Sequence, residues 1–465
     1  MTDDIYEAAL QYALESVRTT NEGPVAATAS LTALREKLNR PLEPTSVPAA
    51  QVIRELAADV QGGLIKSAGG RFFAWVIGGA LPSALAADWL CSAWDQNAGL
   101  YATAPAAAVV EEIAGSWLKE LLQLPHTSSF AFVTGCQMAH FTCLAAAREA
   151  VLRRQGWDLQ AAGLSGTPPI RVFAGDCHGT VERALRFLGI GLNHLARLPN
   201  NQHEQMEPEA LRAALKAQLG QPAIVVLQAG NVNTGAYDDF STLIPIAHEH
   251  GAWVHVDGAF GLWAAASPRY RHLLRGADQA DSWAVDGHKW LNVPYDCGYA
   301  FVADGASHRA SMSYRGAYLT HSDDARDQMD WTPEWSRRAR GFPTYAAIRE
   351  LGRERIAALV DRCCRHASEL VDALGGLPHT DVLWRPIINQ GLVRFRDPRP
   401  DASDHDHDRR TDEVIARVNQ GGEAFFSGST WRGRRVMRIS VCNWQTSEED
   451  IRRTVEAVRA VVGFF

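Results

Sequence analysis

The sequence contains no run approaching the roughly eighteen continuous apolar residues that a helical bilayer crossing requires, so it gives no reading as an integral membrane protein. It also lacks any CxxC pair. Its eight cysteines, at 91, 136, 143, 177, 297, 363, 364 and 442, follow no framework, and they read as small buried apolar residues instead of a disulfide scaffold or zinc ribbon. Basic residues form no block and the formal net charge is -7, which argues against nucleic acid and anionic membrane as partners. There is no internal repeat and no low-complexity tract. The opening MTDDIYEAALQYALESV is acidic with an amphipathic helical period, the opposite of a secretory leader, and a cytoplasmic location is the expectation.

What the 465 residues do hold is an ordinary globular balance, 46% apolar and 21% charged, enough for a large domain with a smaller satellite. Residues 1–69 alternate helical patterns with proline breaks such as RPLEPTSVP. Such a segment closes no core of its own and is expected to pack on a partner subunit or on the main domain. From 130 to 302, short apolar strands (FAFVTG, IRVFAG, AIVVLQAG, WVHVDGAFG, DSWAVDG, YAFVADG) alternate with helices. That alternation predicts an α/β domain over 70–345 with a mainly parallel sheet, and ligands in such sheets gather at the strand carboxyl ends. A charged, aromatic loop at 314–342 is long enough to be functional or mobile. Residues 346–465 read as a small α+β domain with strands NQGLVRFR and VMRISVCN, a helix from Asp412 and a last helix from Ser447. The histidine-bearing acidic run 401–413 reads as a solvated loop, and HEH at 248–250 as a helix C-terminus complementing its dipole. No metal is expected.

The chemistry concentrates in WVHVDGAFG and DSWAVDGHKWLNVPYDCG. Asp257 ends an apolar strand, and Lys289 follows a second strand between His288 and Trp290. A lysine amine for a Schiff base and a carboxylate for a pyridine nitrogen are what pyridoxal 5'-phosphate needs. Gly135, Cys136 and Gln137, at a strand-to-helix junction in FVTGCQMAHF, are candidates for the cofactor phosphate, or they simply cap the helix. His178, in FAGDCHGTVERAL, stands where an imidazole can lie against the ring and approach a substrate carboxylate. Asn231 and Asn233, in QAGNVNTGAYD, either bond the cofactor or form a turn.

The ordered motifs TGCQMAHFTCLAAAR, DCHGTVERA, QAGNVNTGAYD, HVDGAFG and DGHKWLNVPYDCG resemble the group II pyridoxal-phosphate-dependent amino acid decarboxylases, over roughly residues 72–455. The resemblance implies the type I aminotransferase-like fold: a mainly parallel seven-stranded sheet with helices on both faces, an N-terminal helical segment and a small C-terminal α+β domain. It implies a homodimer with shared active sites. It also assigns Lys289 as the Schiff-base lysine, Asp257 to the pyridine nitrogen, His178 to the ring face, Ala259 to the opposite face and His288 to the phosphate. Ile77 and Gly78, with Asn97 and Gly99 from a partner subunit, would line an open substrate wall, and Arg438 would serve the substrate carboxylate or the small-domain core. The family's loop tyrosine is absent between Tyr318 and Arg337, where Gln328 or Met329 stands in its place. Decarboxylation of an apolar or aromatic L-amino acid is the leading expectation. An aldehyde synthase, a carbon–carbon lyase of the sphingosine-phosphate lyase type, and a silent cofactor-binding protein are the alternatives.

Overall fold

In the computed structural model of the chain, which describes residues 3–42, 44–314 and 325–463, the apolar segments of the middle region become one seven-stranded sheet. Its strands are β1 (Ser129–Val133), β2 (Arg171–Ala174), β3 (Leu195–Arg197), β4 (Ala223–Gln228), β5 (Trp253–Asp257), β6 (Ser282–Asp286) and β7 (Gly298–Val302). The order across the sheet is β1-β7-β6-β5-β4-β2-β3. Only β7 is reversed, running antiparallel to both β1 and β6, while the other neighbours are parallel. Strands β4, β5 and β6 are buried along their whole length, as expected of parallel strands covered on both faces.

The helix Cys136–Arg153 crosses β5, β6 and β7. Small side chains on its buried face (Ala139, Cys143, Ala146, Ala147, Ala150) let its backbone approach the sheet closely. The helix Phe240–Glu249 packs on β5. Strand β3 escaped the sequence reading because it spans three residues of which two are exposed, too short for a period to emerge.

The chain divides into two compact units. One comprises residues 78–365 and 386–390 and holds the seven-stranded sheet; the other comprises residues 1–77, 366–385 and 391–465. The N-terminal helices Asp3–Arg18, Leu31–Leu38 and Ala49–Asp59 therefore belong with the C-terminal segments. There the strands β8 (Thr380–Trp384), β9 (Gln390–Phe395), β10 (Ser427–Trp431) and β11 (Arg434–Ser440) form a sheet in the order β10-β11-β9-β8. All eight cysteines are free and buried.

One expectation changes. The run 401–413 is mostly helix, not loop: the helix spans Asp404–Gly421, and Ser403 caps it in a reciprocal box with Asp406. Its first-turn acids suit the positive end of the helix dipole, which composition alone conceals. Of the loop at 314–342, residues 315–324 lie outside the described residues, while 327–330 are buried. Arg337 fixes the stretch that follows, donating to Glu111 Oε1 at 2.6 Å, to the Ala98 carbonyl at 2.9 Å and to the Phe132 carbonyl at 2.7 Å.

The Arg337 and Glu111 side chains are both fully buried. Removing one partner of such a pair strands the other, so Arg337→Met should cost about 3–5 kcal/mol, read as a lower midpoint of chemical unfolding. An unchanged midpoint would show that the buried pair contributes no net stability.

Candidate active site

Neighbouring strands β5 and β6 end in the two acids of the site. Asp257 closes β5 and Asp286 closes β6. Three residues on, Lys289 places its Nζ 3.0 Å from Asp286 Oδ2 and 5.9 Å from the centre of the Phe260 ring. Burial works against the ammonium, but Asp286 outweighs it, with help from Asp257, and holds the lysine above its ordinary value. Burial likewise pushes Asp286 up, yet Lys289 and His288 hold it below the usual carboxylate range. The same carboxylate accepts the Cys136 N–H at 2.6 Å through Oδ1 and lies 3.4 Å from His288 Nε2.

Asp257 is 6% exposed. It too is held low: burial opposes the charge, while His140, His178, Lys289 and the Ala259 N–H, which donates to Oδ1 at 3.1 Å, favour it. His178 is exposed and caps the helix Gly179–Phe187, with Nδ1 2.8 Å from Thr180 Oγ1. His288 accepts the Cys297 N–H at Nδ1 and stacks on Tyr295 with ring centres 4.2 Å apart.

Glycines make the cradle. A Cβ on Gly135, whose φ is +155°, would fall 2.8 Å from His288 Cε1. One on Gly298 would fall 2.5 Å from the Gly135 Cα. Both clashes lie beside the first turn of the helix Cys136–Arg153, whose leading N–H groups suit an anion. A buried lysine, a buried carboxylate at the next strand end and an anion-binding turn fit a pyridoxal phosphate ring, aldehyde and phosphate.

A family model described as the pyridoxal-dependent decarboxylase conserved domain matches residues 33–396. The chain belongs to that family. "Tryptophan decarboxylase 1" of Oryza sativa subsp. japonica is 27% identical, the match covering 92% of this chain and 87% of the relative. "Phenylacetaldehyde synthase" of a Rosa hybrid cultivar is 26% identical over 87% of this chain and 82% of its own. The solved structure of Oryza sativa TDC with PLP and tryptamine superposes with a TM-score of 0.92 at 25% identity, covering 100% of this chain and 98% of that one. As a pyridoxal-dependent decarboxylase, the chain is a carboxy-lyase acting on an amino acid, with pyridoxal 5'-phosphate as cofactor.

Of the residues singled out in the sequence, the structure brings Gly135, Cys136, Asp257, Ala259, His288 and Lys289 together within one unit. Gln137 reaches toward the helix after His178, donating to the Thr180 carbonyl at 3.3 Å. Asn231 is spent on its own turn: Oδ1 accepts the N–H groups of Asn233 and Thr234, and Nδ2 donates to Asp176. Gly78 packs against backbone, since a Cβ there would fall 1.9 Å from the Lys289 carbonyl oxygen. Gly99 meets the Trp335 carbonyl in the same way, with a Cβ distance of 2.3 Å, and exposed Asn97 accepts the Arg337 N–H. Their missing side chains thus make room for main chain rather than an open wall. Ile77 and Arg438 belong to the other unit. There Ile77 packs on Phe72 and Ala74, and Arg438, opposite Ser427 in the β10–β11 pair, has its pKa lowered by burial to about 10.

Sequence reasoning missed Asp286, although its place three residues before Lys289 at a strand end was a usable signal. It also missed His140 and His255, which lie inside quoted motifs. At neutral pH the Lys289–Asp286 pair is fully in place; it is lost as pH rises past the elevated lysine value or falls past the depressed value of Asp286. Replacing Asp286 by Asn leaves burial less opposed. In the cofactor-free chain, the pH profile of Lys289 chemical modification, followed by mass spectrometry, should move lower by about 1–3. A profile that stays put would remove Asp286 from its control.

Proposed function

We propose that the chain decarboxylates an aromatic L-amino acid to its amine, working as a cytoplasmic homodimer. The observation that carries the reading of the site is the buried Lys289 ammonium beside Asp286, with Asp257 ionised at the neighbouring strand end. When bound, pyridoxal phosphate supplies a ring that accepts the electron pair left behind as carbon dioxide departs. Lys289 would hold the cofactor aldehyde, and Asp286 steadies the lysine's proton in the cofactor-free chain. Asp257 would keep a proton on the ring nitrogen, with His178 toward one ring face and Ala259 toward the other. The first turn at Gly135–Gln137 and His288 hold the phosphate, and the Asn231–Asn233 turn shapes the rim near Asp176. Asn97, Gly78 and Gly99 belong to the substrate side of the same unit, the glycines through backbone packing.

The aromatic preference is supported by the names of the relatives and by the tryptamine in the rice structure. Support for the homodimer comes from the N-terminal helices, which leave Tyr6 70%, Leu10 47% and Leu56 51% exposed, apolar surface suited to a second subunit. A second reading has its own observation. Where the family places a loop tyrosine, Gln328 is 1% exposed and Met329 2%, and neither an amide nor a thioether is an acid at neutral pH. Without a donor there, dioxygen would take two electrons and become peroxide while one water supplies the aldehyde oxygen and ammonia leaves, so each substrate consumes one dioxygen and one water and gives carbon dioxide, aldehyde, ammonia and peroxide.

The test is a visible spectrum of the purified protein followed by aromatic amino acids, with carbon dioxide, peroxide and aldehyde measured together. Carbon dioxide and amine in equal amounts support the decarboxylase reading; peroxide and aldehyde in step with carbon dioxide support the second. Lys289→Ala should lose the cofactor's visible band and its borohydride fixation completely. Persistence of a fixed cofactor would displace Lys289 from its role.

A further inference from the structure

Behind Asp257 lies a chain of polar groups that the reaction does not touch. Alternate residues of β5 share a face, which sets Trp253, His255 and Asp257 in a row. His140, from the helix Cys136–Arg153, bridges two of them. Its Nδ1 is 2.9 Å from His255 Nε2, and its Nε2 lies 3.5 Å from Asp257 Oδ2 with no formed hydrogen bond. His255 Nδ1 is 2.9 Å from the Oγ of Ser282, its register partner on β6, and the Trp253 Nε1–H donates to that same oxygen at 2.9 Å. Both histidines are 0% exposed.

The two ends of this chain decide the protons within it. An indole N–H can only donate, and a carboxylate can only accept. A carboxylate at Asp257 requires the His140 proton on Nε2, because a lone pair there would face the negative charge. His140 Nδ1 must then accept, so His255 donates from Nε2. Its Nδ1 accepts in turn from the Ser282 hydroxyl, whose oxygen takes the Trp253 N–H. Every donor points the same way, toward Asp257. Burial lowers the pKa of His140 and takes that of His255 to about 3, so the imidazoles act through N–H dipoles and not as cations.

We propose that Trp253, Ser282, His255 and His140 form a one-way donor relay that holds Asp257 as a carboxylate and thereby sustains the proton on the cofactor's ring nitrogen, with His140 as the positioning residue. The proposal rests on the reading that Asp257 faces that nitrogen. It gives the row of buried polar groups a single purpose, and it explains why a fully buried Nε2 is aimed at Asp257 Oδ2 while the Ala259 N–H occupies Oδ1.

The experiment uses the full-length holoenzyme loaded with cofactor carrying 15N at the ring nitrogen, whose chemical shift reports its protonation. His140→Phe should move that signal toward the unprotonated position and weaken cofactor affinity by about tenfold or more, as loss of an outer partner does at other ligand sites. His140→Gln, which keeps an N–H donor, should restore most of both. If His140→Phe leaves the signal unmoved while Asp257→Asn shifts it, the relay is overturned and the Asp257 assignment stands. If neither moves it, the Asp257 assignment fails and the relay with it. A measurement on the unaltered protein guards against misfolded variants. In histidine-labelled holoenzyme, the nitrogen–nitrogen coupling across the His140–His255 bond should identify two neutral rings, each protonated at Nε2. A proton on His140 Nδ1 would overturn the proposal.

Discussion

Keeping two carboxylates ionised where water is scarce is the constraint on which this site depends. Asp257 and Asp286 stand 6% and 2% exposed at the ends of adjacent strands, and taking such a charge out of water costs several kcal/mol unless partners replace the lost solvation. For Asp286 the partners are one ammonium and one backbone N–H. For Asp257 they are a backbone N–H and the dipoles arriving from behind the strand. The Lys289 charge favours both acids, but only Asp286 pairs with it directly, while Asp257 also draws on the oriented groups behind its strand.

Their backbone setting follows from the sheet. Parallel neighbours bring the ends of β5 and β6 together, and the helix Cys136–Arg153 supplies both the Cys136 N–H and His140 from one face. Gly135, Gly298 and Gly78 then let main chain crowd the lysine loop so closely that a methyl group at any of them would collide. Close packing of this kind fixes the lysine's direction without adding side-chain atoms that would compete with a ligand.

Much of the fold was legible because six of the seven central strands are continuous apolar runs punctuated by glycine. The strand β3 was not, being short and largely exposed, and β8 and β10 were missed because neither shows a clean buried face. The site was legible where residue type is decisive, as with a lone lysine beside a histidine and a strand-end acid. It was opaque where the role depends on direction. Asp286 reads as an ordinary strand-end residue until its side chain is seen to turn toward Lys289, and His255 as a core residue until the facing helix presents His140. Gly78 illustrates the converse, since a missing side chain looks the same in sequence whether the space is filled by substrate or by a carbonyl.

The reversed strand β7 has a further bearing on how the molecule assembles. Asp286 faces Gly298 in the β6–β7 register, so the segment 287–297 that carries Lys289 is a turn closed locally between adjoining strands. The remaining pairings of that sheet join strands farther apart along the chain. Loop closure over short separations is the least costly in entropy. The lysine's arch is accordingly the part of the sheet best placed to pair first during folding, with the long crossovers added around it.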